Sequence, residues 1–424
     1  MKNTIALVMA GGRGERLFPL TKDRSKPAVP FGGIYRIVDV TLSNCVNSGA
    51  YRIMVLPQYK SQSLVDHLEM GWNIFSAALG HYLRIVPPQM RTGKDWYRGT
   101  ADSIRQNLYL LEREQPKNVL ILSGDHVYKM DYSLFLKFHK ENDADITVSV
   151  IEMERMLSSA YGVVQTDPSN RVTGFQEKPG EPTTIPGDPE HFYASMGVYM
   201  FKTDVLLDAL SENEKMDFGH HILPHLVEKG SRVYAYPYKQ KNTIEDYIYM
   251  TKEDGSRELT LVPRTRDSTY WRDVGSLDAY WNANMDLTGV DPFFNLYGTR
   301  WPIRTYRDQS PPVKTVFASE IPGHYHVGKA LDSLVSHGCI ISGGAVRSSV
   351  LSRNVFVHSY SNVEESVVMD NVEIGRNCKI KKAIIDKHNK IPAGTNIGYD
   401  PEEDRKHFTV TPRGIVVVEK YHFK

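Results

Sequence analysis

The sequence predicts an α/β domain with a mostly parallel sheet, followed by a left-handed parallel β-helix. Three observations lead to this prediction. Short aliphatic strands alternate with helical segments through the first two-thirds of the chain. A glycine-rich turn directly follows the first strand. From residue 334 onward, aliphatic residues recur at steps of five or six, the pattern of a hexapeptide solenoid.

The composition bounds the class of protein. The chain has 424 residues with 51 basic and 50 acidic side chains, so no charge surplus indicates a nucleic-acid or membrane surface. No apolar run approaches the roughly 20 residues of a membrane span. The chain enters a strand within five residues, so we expect no signal or transit peptide. Three scattered cysteines, Cys45, Cys339 and Cys378, suit a reducing compartment, and we expect a cytoplasmic protein.

We predict that the α/β domain spans residues 1–290. Its predicted strands are Ile5–Met9, Ile53–Leu56, Val119–Leu122, Ile146–Ile151, Ser195–Phe201 and Arg232–Tyr236. Its predicted helices lie near Ser61–Phe75, Ala101–Glu112, Tyr132–Glu141 and Leu277–Leu287. Residues 291–333 contain five prolines (Pro292, Pro302, Pro311, Pro312 and Pro322) together with buried-type aromatics such as Phe294 and Trp301. This composition predicts a packed connector rather than a free linker.

The third predicted unit is the β-helix, residues 334–424. Its predicted inward positions are Leu334, Ile340, Val346, Leu351, Val357, Val363, Val368, Ile374, Ile380, Ile385, Ile391 and Ile397. All twelve are aliphatic, which indicates about four coils of about 17 residues each. Hexapeptide solenoids also occur in acyltransferases, and His337, His358 and His388 would be the candidates here. We favour subunit contacts or regulation as the role of this unit.

The loop after the first strand carries the strongest functional signal. Gly11, Gly12 and Gly14 permit a turn in which backbone N–H groups face an anion. Five cations follow within a short span: Arg13, Arg16, Lys22, Arg24 and Lys26. The spacing lacks the third glycine of a dinucleotide fingerprint, and no Gly-Lys-Ser/Thr follows, so neither common phosphate motif is present. A purely structural turn would leave these cations unexplained, and the loop therefore predicts a polyphosphate site.

Two acids are candidate metal ligands. Asp125 lies just beyond the carboxyl end of a predicted central strand, where ligands bind in open α/β sheets. Asp273 stands in the segment WRDVG, before an exposed turn. Both carboxylates would suit Mg²⁺, which prefers hard oxygen ligands beside phosphates. The alternative is that each carboxylate caps a turn.

Three further segments are candidates for sugar and base contacts. In QEKP, Lys178 would pair with a phosphate monoester and Glu177 would accept hydrogen bonds from sugar hydroxyls, or the two would form an adjacent surface ion pair. Ser195 in ASMGVY adds a hydroxyl beside a glycine. Residues 95–102, DWYRGTAD, place Trp96 and Tyr97 beside a Gly-Thr turn; an aromatic wall for a purine and ordinary core packing are both open.

The N-terminal segment resembles the signature of sugar-1-phosphate nucleotidylyltransferases, G-x-G-T-R-L-x-P-L-T followed by K-P. The matching residues are Gly14, Arg16, Leu17, Pro19, Leu20, Thr21, Lys26 and Pro27. Glu15 departs from the usual Thr, and we expect its side chain to point away from the nucleotide. The resemblance implies a Rossmann-like nucleotide-diphospho-sugar transferase fold for the first domain.

A narrower resemblance covers nearly the whole chain. The segments TLSNCVNSG, LPQYKSQSLVDHL, WYRGTAD, SGDHVYKMDY, ASMGVYMF, DFGHHILP, YWRDVGSLDAYW and RWPIRTY occur in that order. Together they resemble the ADP-glucose pyrophosphorylases, or glucose-1-phosphate adenylyltransferases. The resemblance implies conversion of ATP and glucose 1-phosphate to ADP-glucose and pyrophosphate with Mg²⁺, the first committed step of glycogen or starch synthesis. It also implies a homotetramer regulated by small-metabolite effectors.

The resemblance further implies roles for individual residues. The implied catalytic residues are Arg16, Lys26 and Asp125, with Asp125 and Asp273 as metal ligands. The implied ATP contacts are Gly11, Gly12, Gly14, Arg16, Lys26, Gln58, Tyr97, Gly99, Thr100 and Asp102. The implied glucose 1-phosphate contacts are Tyr97, Gly162, Glu177, Lys178, Ser195 and Asp273.

Two departures from the family limit what is implied. Residues 239–269 are longer than the family leads us to expect, and Thr243–Met250 and Arg257–Val262 flank Asp254-Gly255, which predicts a protruding hairpin whose role could be contact with a neighbouring subunit. Members activated by fructose 1,6-bisphosphate often carry a Lys where this chain has Asp23, although Lys22, Arg24 and Arg413 could still serve an anionic activator. Two alternatives stay open: a sister enzyme using UTP, dTTP, GTP or CTP, or a non-catalytic regulatory subunit.

Overall fold

A computed structural model describes residues 1–89, 96–211, 217–316, 318–319 and 326–424. Asp95 and Pro322, which belong to segments singled out from the sequence, lie outside these ranges.

The first domain is built on a nine-stranded sheet. Across its longest path the strands run Val172–Glu177, Gly162–Thr166, His191–Lys202, Asn118–Ser123, Thr4–Ala10, Arg52–Pro57 and Tyr82–Ile85, while Ile146–Glu154 pairs with His191–Lys202 and with Val233–Pro237. The pairings give seven strands one direction, with only His191–Lys202 and Val172–Glu177 reversed. The predicted mostly parallel sheet is confirmed.

Alternation along the first strand explains the layers. Ala6 and Val8 enter one apolar layer with helix Ile37–Asn47, whereas Ile5 and Leu7 enter the layer on the opposite face. Both faces of this strand are therefore buried, which is why it appears in the sequence as a continuous apolar run.

The helices of the first domain cover these two faces. In the described ranges they are Ile37–Asn47, Gln62–Gly71, Thr100–Arg105, Leu108–Glu114, Tyr132–Glu141, Thr203–Ser211, Leu223–Glu228, Tyr238–Lys241 and Leu277–Met285. The single helix predicted near Ala101–Glu112 is wrong, because the chain forms two helices with Asn107 between them. The Asn107 amide donates to the Ser103 carbonyl at 2.8 Å, taking the acceptor that a continuous helix would use for its backbone.

The C-terminal unit is a solenoid of three parallel sheets, consistent with the predicted left-handed β-helix. One sheet contains Lys314–Val316, Ile340–Ser342, Phe356–Val357, Glu373–Ile374 and Lys390–Ile391. The second contains Lys329–Leu331, Ala345–Arg347, Asn362–Glu364, Lys379–Lys381 and Asn396–Ile397. The third contains Leu334–Val335, Val350–Leu351, Val367–Val368, Ala383–Ile385, Val416–Val418 and, antiparallel at its edge, Thr409–Val410.

Ten of the twelve predicted inward positions, from Val346 onward, are buried. The first two are shifted by one residue. Ile341, not Ile340, pairs with Val357, and Val335, not Leu334, pairs with Leu351. Because each of these strands contains two adjacent aliphatic residues, the five-to-six-residue spacing alone did not determine which one faces inward.

The solenoid pairing extends into residues 291–333, because Lys314–Val316 and Lys329–Leu331 hydrogen-bond to the first full coil. The solenoid also packs on the first domain. A shared apolar cluster includes Leu20, Tyr280 and Leu277 from the first domain with Val367 and Ile384 from the solenoid.

A few smaller elements complete the architecture. Pro30–Phe31 pairs with Tyr35–Arg36, His126–Tyr128 with Trp271–Asp273, and the predicted hairpin forms from Asp246–Thr251 and Arg257–Val262. The helix Pro401–His407 precedes the last two strands. No helix in the described ranges has the length and apolar composition that a membrane crossing requires.

The register of the first coil can be tested with a matched pair of variants. Ile341→Ala should destabilise the protein by about 2–5 kcal/mol, because the side chain is fully buried in the stack above Val357. Ile340→Ala removes the same atoms from a half-buried position and should cost clearly less. Urea denaturation followed by circular dichroism measures both. Equal losses would contradict the observed register.

Candidate active site

Three neighbouring parallel strands deliver the candidate residues to one edge of the sheet. Gly11 and Gly12 follow Thr4–Ala10, Asp125 follows Asn118–Ser123, and Gln58 follows Arg52–Pro57. Carboxyl ends of adjacent parallel strands meet at the same edge, so residues far apart in sequence line one cleft.

The glycine turn brings the loop against Lys26. Gly14 has φ +65°, and a Cβ there would lie 3.0 Å from the Lys26 Cβ and 3.0 Å from the Thr21 methyl. Both the backbone conformation and the lack of space favour glycine at this position. The Thr21 hydroxyl donates to the Gly14 carbonyl at 3.0 Å, which fixes the two ends of the loop together.

Lys26 lies between the two predicted metal ligands. Its Nζ is 3.0 Å from Asp125 Oδ2 and 3.0 Å from Asp273 Oδ1, and its side chain is only 9% exposed. Asp273 reaches this point because Trp271–Asp273 pairs with His126–Tyr128, immediately after Asp125. Three charged residues that are up to 247 positions apart therefore form one compact group. We call Lys26, Asp125 and Asp273 the charged trio.

The electrostatics of the trio favour the charged forms of Asp125 and Lys26. Burial alone would raise the pKa of Asp125, but the Lys26 ammonium, with a further contribution from His126, lowers that pKa to about 2. Burial would lower the pKa of Lys26, but the two carboxylates outweigh it and raise that pKa above its ordinary value. With two carboxylates around one ammonium, the trio carries a formal charge of −1.

Arg16 extends the trio toward solvent. Its guanidinium is largely exposed and lies 4.0 Å from the Asp273 carboxylate. Gly275, which the sequence analysis did not single out, makes this approach possible. A Cβ there would lie 2.8 Å from Asp273 Oδ1 and 2.9 Å from Arg16 Nη2. The position of Gly275, two residues after the candidate ligand Asp273, was the only feature of the sequence that could have indicated this close approach.

His126 is a second residue that the sequence analysis missed. Its Nε2 lies 3.6 Å from Asp125 Oδ1 and 3.8 Å from Asp273 Oδ1, and its ring packs edge-on against Trp271 at 5.1 Å. A histidine adjacent to a strand-end acid has no periodicity or motif that would have marked it.

A cavity of about 410 Å³ opens beside the trio and contains most residues predicted to contact ATP. Its lining residues are Met9, Gly11, Gly12, Arg13, Leu56, Gln58, Tyr97, Arg98, Gly99, Thr100, Ser103, Ser123 and Asp125. A Cβ on Gly11 would lie 3.1 Å from the Gln58 Cβ, so this glycine lets two strand ends approach closely.

Two of the predicted nucleotide residues have other contacts. The Tyr97 hydroxyl donates to the Val86 carbonyl at 3.2 Å and accepts from Asn107 at 2.8 Å, so the phenol is anchored in the core. Asp102 is buried, does not line the described cavity, and accepts from the Arg98 N–H and the Gln106 amide at 2.9 Å each. These bonds stabilise the start of its helix, and an ATP contact for Asp102 stays a prediction.

The predicted sugar-phosphate residues form a second group. Glu177 Oε1 lies 2.8 Å from Lys178 Nζ, so the adjacent ion pair considered from the sequence is present. Lys178 has φ +45°, an uncommon conformation for a non-glycine residue, and its N–H donates to the Tyr161 carbonyl. A Cβ on Gly162 would lie 2.4 Å from the Phe175 ring and 3.1 Å from Glu177 Oε2, which excludes a larger residue.

The sugar-phosphate group lies close to the charged trio through the rings of Tyr161 and Trp271 and through the irregular strand that carries Ser195. Tyr161 packs 5.9 Å from Trp271, two residues before Asp273. Ser195 lies within the strand His191–Lys202, at a register shift, rather than near its start as predicted. Within this shift, between Ser195 and Tyr199, Gly197 has φ +68°, and a Cβ on it would lie 3.1 Å from the Ser123 hydroxyl.

The charge balance of the trio predicts a pH-dependent stability difference. Because the folded pKa of Asp125 is depressed, its contribution to stability is present above about pH 4 and is lost as the pH falls toward 2. Lys26→Gln removes the cation and should abolish this contribution. Thermal unfolding midpoints of both proteins from pH 7 to pH 2 should differ most above pH 4 and converge on acidification. A difference independent of pH would contradict the assignment.

Comparison with known proteins identifies related sequences for both units. Residues 5–289 match the nucleotidyl transferase family, and residues 311–418 match the GlmU-like C-terminal hexapeptide family. Proteins named glucose-1-phosphate adenylyltransferase are similar over almost their whole length. The one from Koribacter versatilis is 47% identical over 99% of this chain and 96% of its own length.

Two further relatives agree. The Anaeromyxobacter sp. protein of the same name is 48% identical over 99% of this chain and 98% of its own length. Glucose-1-phosphate adenylyltransferase 2 of Vibrio cholerae is 45% identical over 100% of this chain and 99% of its own length. Identity at this level over full-length partners shows that the chain belongs to the glucose-1-phosphate adenylyltransferase family.

Proposed function

We propose that this protein transfers the adenylyl group of ATP to glucose 1-phosphate, giving ADP-glucose and pyrophosphate for glycogen synthesis. The observation that carries the proposal is the convergence of Lys26, Asp125 and Asp273 at the edge of a cavity lined by a glycine-rich loop. Family membership supports the same reaction. We assign the chemistry to residues 1–290, and assembly and regulation to residues 334–424.

The chemistry needs positioning and charge neutralisation more than acid–base groups. A phosphate oxygen of glucose 1-phosphate attacks the α-phosphorus of ATP, and the bond from that phosphorus to the bridging oxygen of pyrophosphate breaks. The nucleophile is already an anion, so no general base is required. Two anionic reactants must be brought together, which explains a site rich in cations.

The residues divide between the two substrates. Arg16 and Lys26 would hold the triphosphate, together with the N–H groups of the Gly11–Gly14 loop. The rest of the nucleotide would lie in the part of the cavity lined by Gln58, Tyr97, Gly99 and Thr100. Glu177, Lys178 and Ser195, with the space left by Gly162, would hold the sugar phosphate. The Lys26 ammonium contacts both carboxylates, and when ATP binds it would exchange these partners for phosphate oxygens.

The trio also fits a divalent cation. Asp125 and Asp273 share one ammonium at 3.0 Å each, so the space between them accepts positive charge. Among the described residues no group of three or more acidic, His or Cys side chains could hold a metal, which agrees with a site completed by phosphate and water. Asp125 and Asp273 would hold Mg²⁺, which when bound supplies positive charge beside the phosphates.

We also propose assembly into a homotetramer and regulation by small anionic metabolites. The hairpin presents an apolar face, since Tyr247 lies opposite Leu261 and Tyr249 opposite Leu259, and all four are exposed. Such a face on a two-stranded sheet favours contact with another subunit. Lys22 and Arg24, two candidate effector cations, already pair with Glu419 and Asp386, so an anionic effector would have to compete with these carboxylates.

The proposed reaction is tested by steady-state synthesis from glucose 1-phosphate with each of ATP, UTP, dTTP, GTP and CTP, with and without glycolytic intermediates. ADP-glucose and pyrophosphate should form in equal amounts with ATP. Preference for another nucleotide, or no product with any, would overturn the proposal.

Two substitutions should separate the roles of the metal and sugar-phosphate residues. Asp125→Asn should lower kcat by about 100-fold or more, because it removes a proposed Mg²⁺ ligand and with it positive charge beside the phosphates in the transition state. Lys178→Ala should mainly raise the KM for glucose 1-phosphate, by about 10- to 100-fold, because a charge-assisted contact is lost. Lys137→Ala, at an exposed helical lysine, is the control. Near-normal turnover of Asp125→Asn would refute the metal assignment.

Assembly through the hairpin is tested by Tyr249→Ser combined with Leu259→Ser. Light scattering should then show a smaller assembly than the wild type. Met250→Ser removes an exposed side chain from the opposite face and should leave the mass unchanged. An unchanged mass for the double variant would remove the hairpin from the interface.

A further inference from the structure

The segment Thr21–Lys26 connects the charged trio to the solenoid through alternate side chains. Lys22 Nζ lies 2.6 Å from Glu419 Oε2, and Arg24 Nη2 lies 2.8 Å from each carboxylate oxygen of Asp386. Two residues later, Lys26 contacts the trio. Charges at positions 22 and 24 therefore face the C-terminal unit, while the charge at position 26 faces the cleft.

The backbone N–H groups of this segment do little to hold it in place. The Lys22 N–H donates to Pro19, and the next backbone donor is the N–H of Ala28, which bonds to Ser25. Within the described part of the chain, the N–H groups of residues 23–26 donate no backbone hydrogen bond. The carbonyls of Ser25 and Lys26 accept from Ala28 and Val29, but these bonds are internal to the short turn Lys26–Ala28, so the placement of that turn against the solenoid depends on side-chain contacts.

The Arg24–Asp386 contact is the most buried of the ties to the solenoid, with side chains 6% and 2% exposed. Asp386 is itself fixed: it follows the strand Ala383–Ile385, its N–H donates to Val418, and the Asn389 amide donates to its carbonyl. Arg24 Nη2 donates to both oxygens of this rigid carboxylate, and Nη1 lies 3.7 Å from Met369 Sδ, so both terminal nitrogens of the guanidinium have partners on the solenoid.

We infer that the Arg24–Asp386 pair is a positioning contact that fixes residues 21–26 against the solenoid and thereby sets the Lys26 amine between Asp125 and Asp273. Only Ser25, extended and fully buried, separates Arg24 from Lys26. A shift of the Arg24 backbone is therefore transmitted to Lys26 with little to absorb it. Arg24 and Asp386 contact no reacting atom and act through Lys26.

The catalytic part of this inference rests on the proposed function, so the experiment includes a readout that does not. The reactivity of Lys26 toward formaldehyde and a borane reductant, quantified by mass spectrometry, reports how open its amine is. Exposed Lys178 is the internal reference. The variants are Asp386→Asn and, as a matched control, Asp370→Asn. Asp370 is another buried solenoid acid, but it pairs with Lys387 and Arg353 and does not contact residues 21–26.

Asp386→Asn should raise Lys26 methylation at least about fivefold, because the amine would leave its position between Asp125 and Asp273 more often. It should lower kcat about 10- to 100-fold, the effect of a small misplacement near the reacting groups. Binding of glucose 1-phosphate by calorimetry should stay within about twofold, since Lys178 is untouched. Asp370→Asn should change none of the three. Arg24→Lys keeps the buried charge but cannot contact Asp386 and Met369 at once through two nitrogens, and it should reproduce the result if Asp386→Asn does not fold.

Unchanged Lys26 methylation in a folded Asp386→Asn or Arg24→Lys protein would overturn the inference. Equal acceleration in Asp370→Asn, or faster methylation with unchanged kcat, would also overturn it. If the wild type made no ADP-glucose, the proposed function would fail, while the methylation result would still decide whether the solenoid positions Lys26.

Discussion

One ammonium group shared between two carboxylates organises this protein. Asp125 and Asp273 come from separate parts of the chain, and at this proximity their like charges would repel without a cation between them. Lys26 supplies that cation from the short turn Lys26–Ala28, against which the glycine-rich loop packs. The sheet edge, the loop and the short strand that carries Asp273 are therefore mutually dependent. A polyanionic ligand would find a cation already in place and would need only to exchange the partner of that cation.

Several small residues are required by this convergence. Gly14 leaves room for the Lys26 side chain, Gly275 leaves room for Asp273 and Arg16, and Gly197 brings its strand against Ser123. A Cβ added at any of the three would lie about 3 Å or less from a neighbouring side-chain atom, closer than ordinary van der Waals contact. The glycines of the site are thus distributed across the chain, and only those of the N-terminal loop form a motif visible in the sequence.

The parts of the fold that could be predicted are those whose signal lies within a short stretch of sequence. The strand Val119–Leu122 was predictable from an uninterrupted apolar run, the helix Tyr132–Glu141 from its residue pattern, and the solenoid from a repeat sustained over about four coils. The register of the first coil was not predictable from the sequence. Leu334-Val335 and Ile340-Ile341 each place two aliphatic residues where only one faces inward. The break at Asn107 and the position of His126 depend on side-chain contacts that no periodicity encodes.

The solenoid is part of the structure that shapes the cleft rather than an appendage. The indole of Trp281 donates to the Glu365 carbonyl, Thr411 donates to Asp278, and a Cβ on Gly33 would lie 2.6 Å from the Ser336 hydroxyl. Together with the shared apolar cluster, these contacts hold the two units in one arrangement. Because the loop that bears Lys26 is tied to this junction through side chains, a change in how the units pack would alter the charged trio. A ligand that favoured one packing over another would therefore change the active site without entering it.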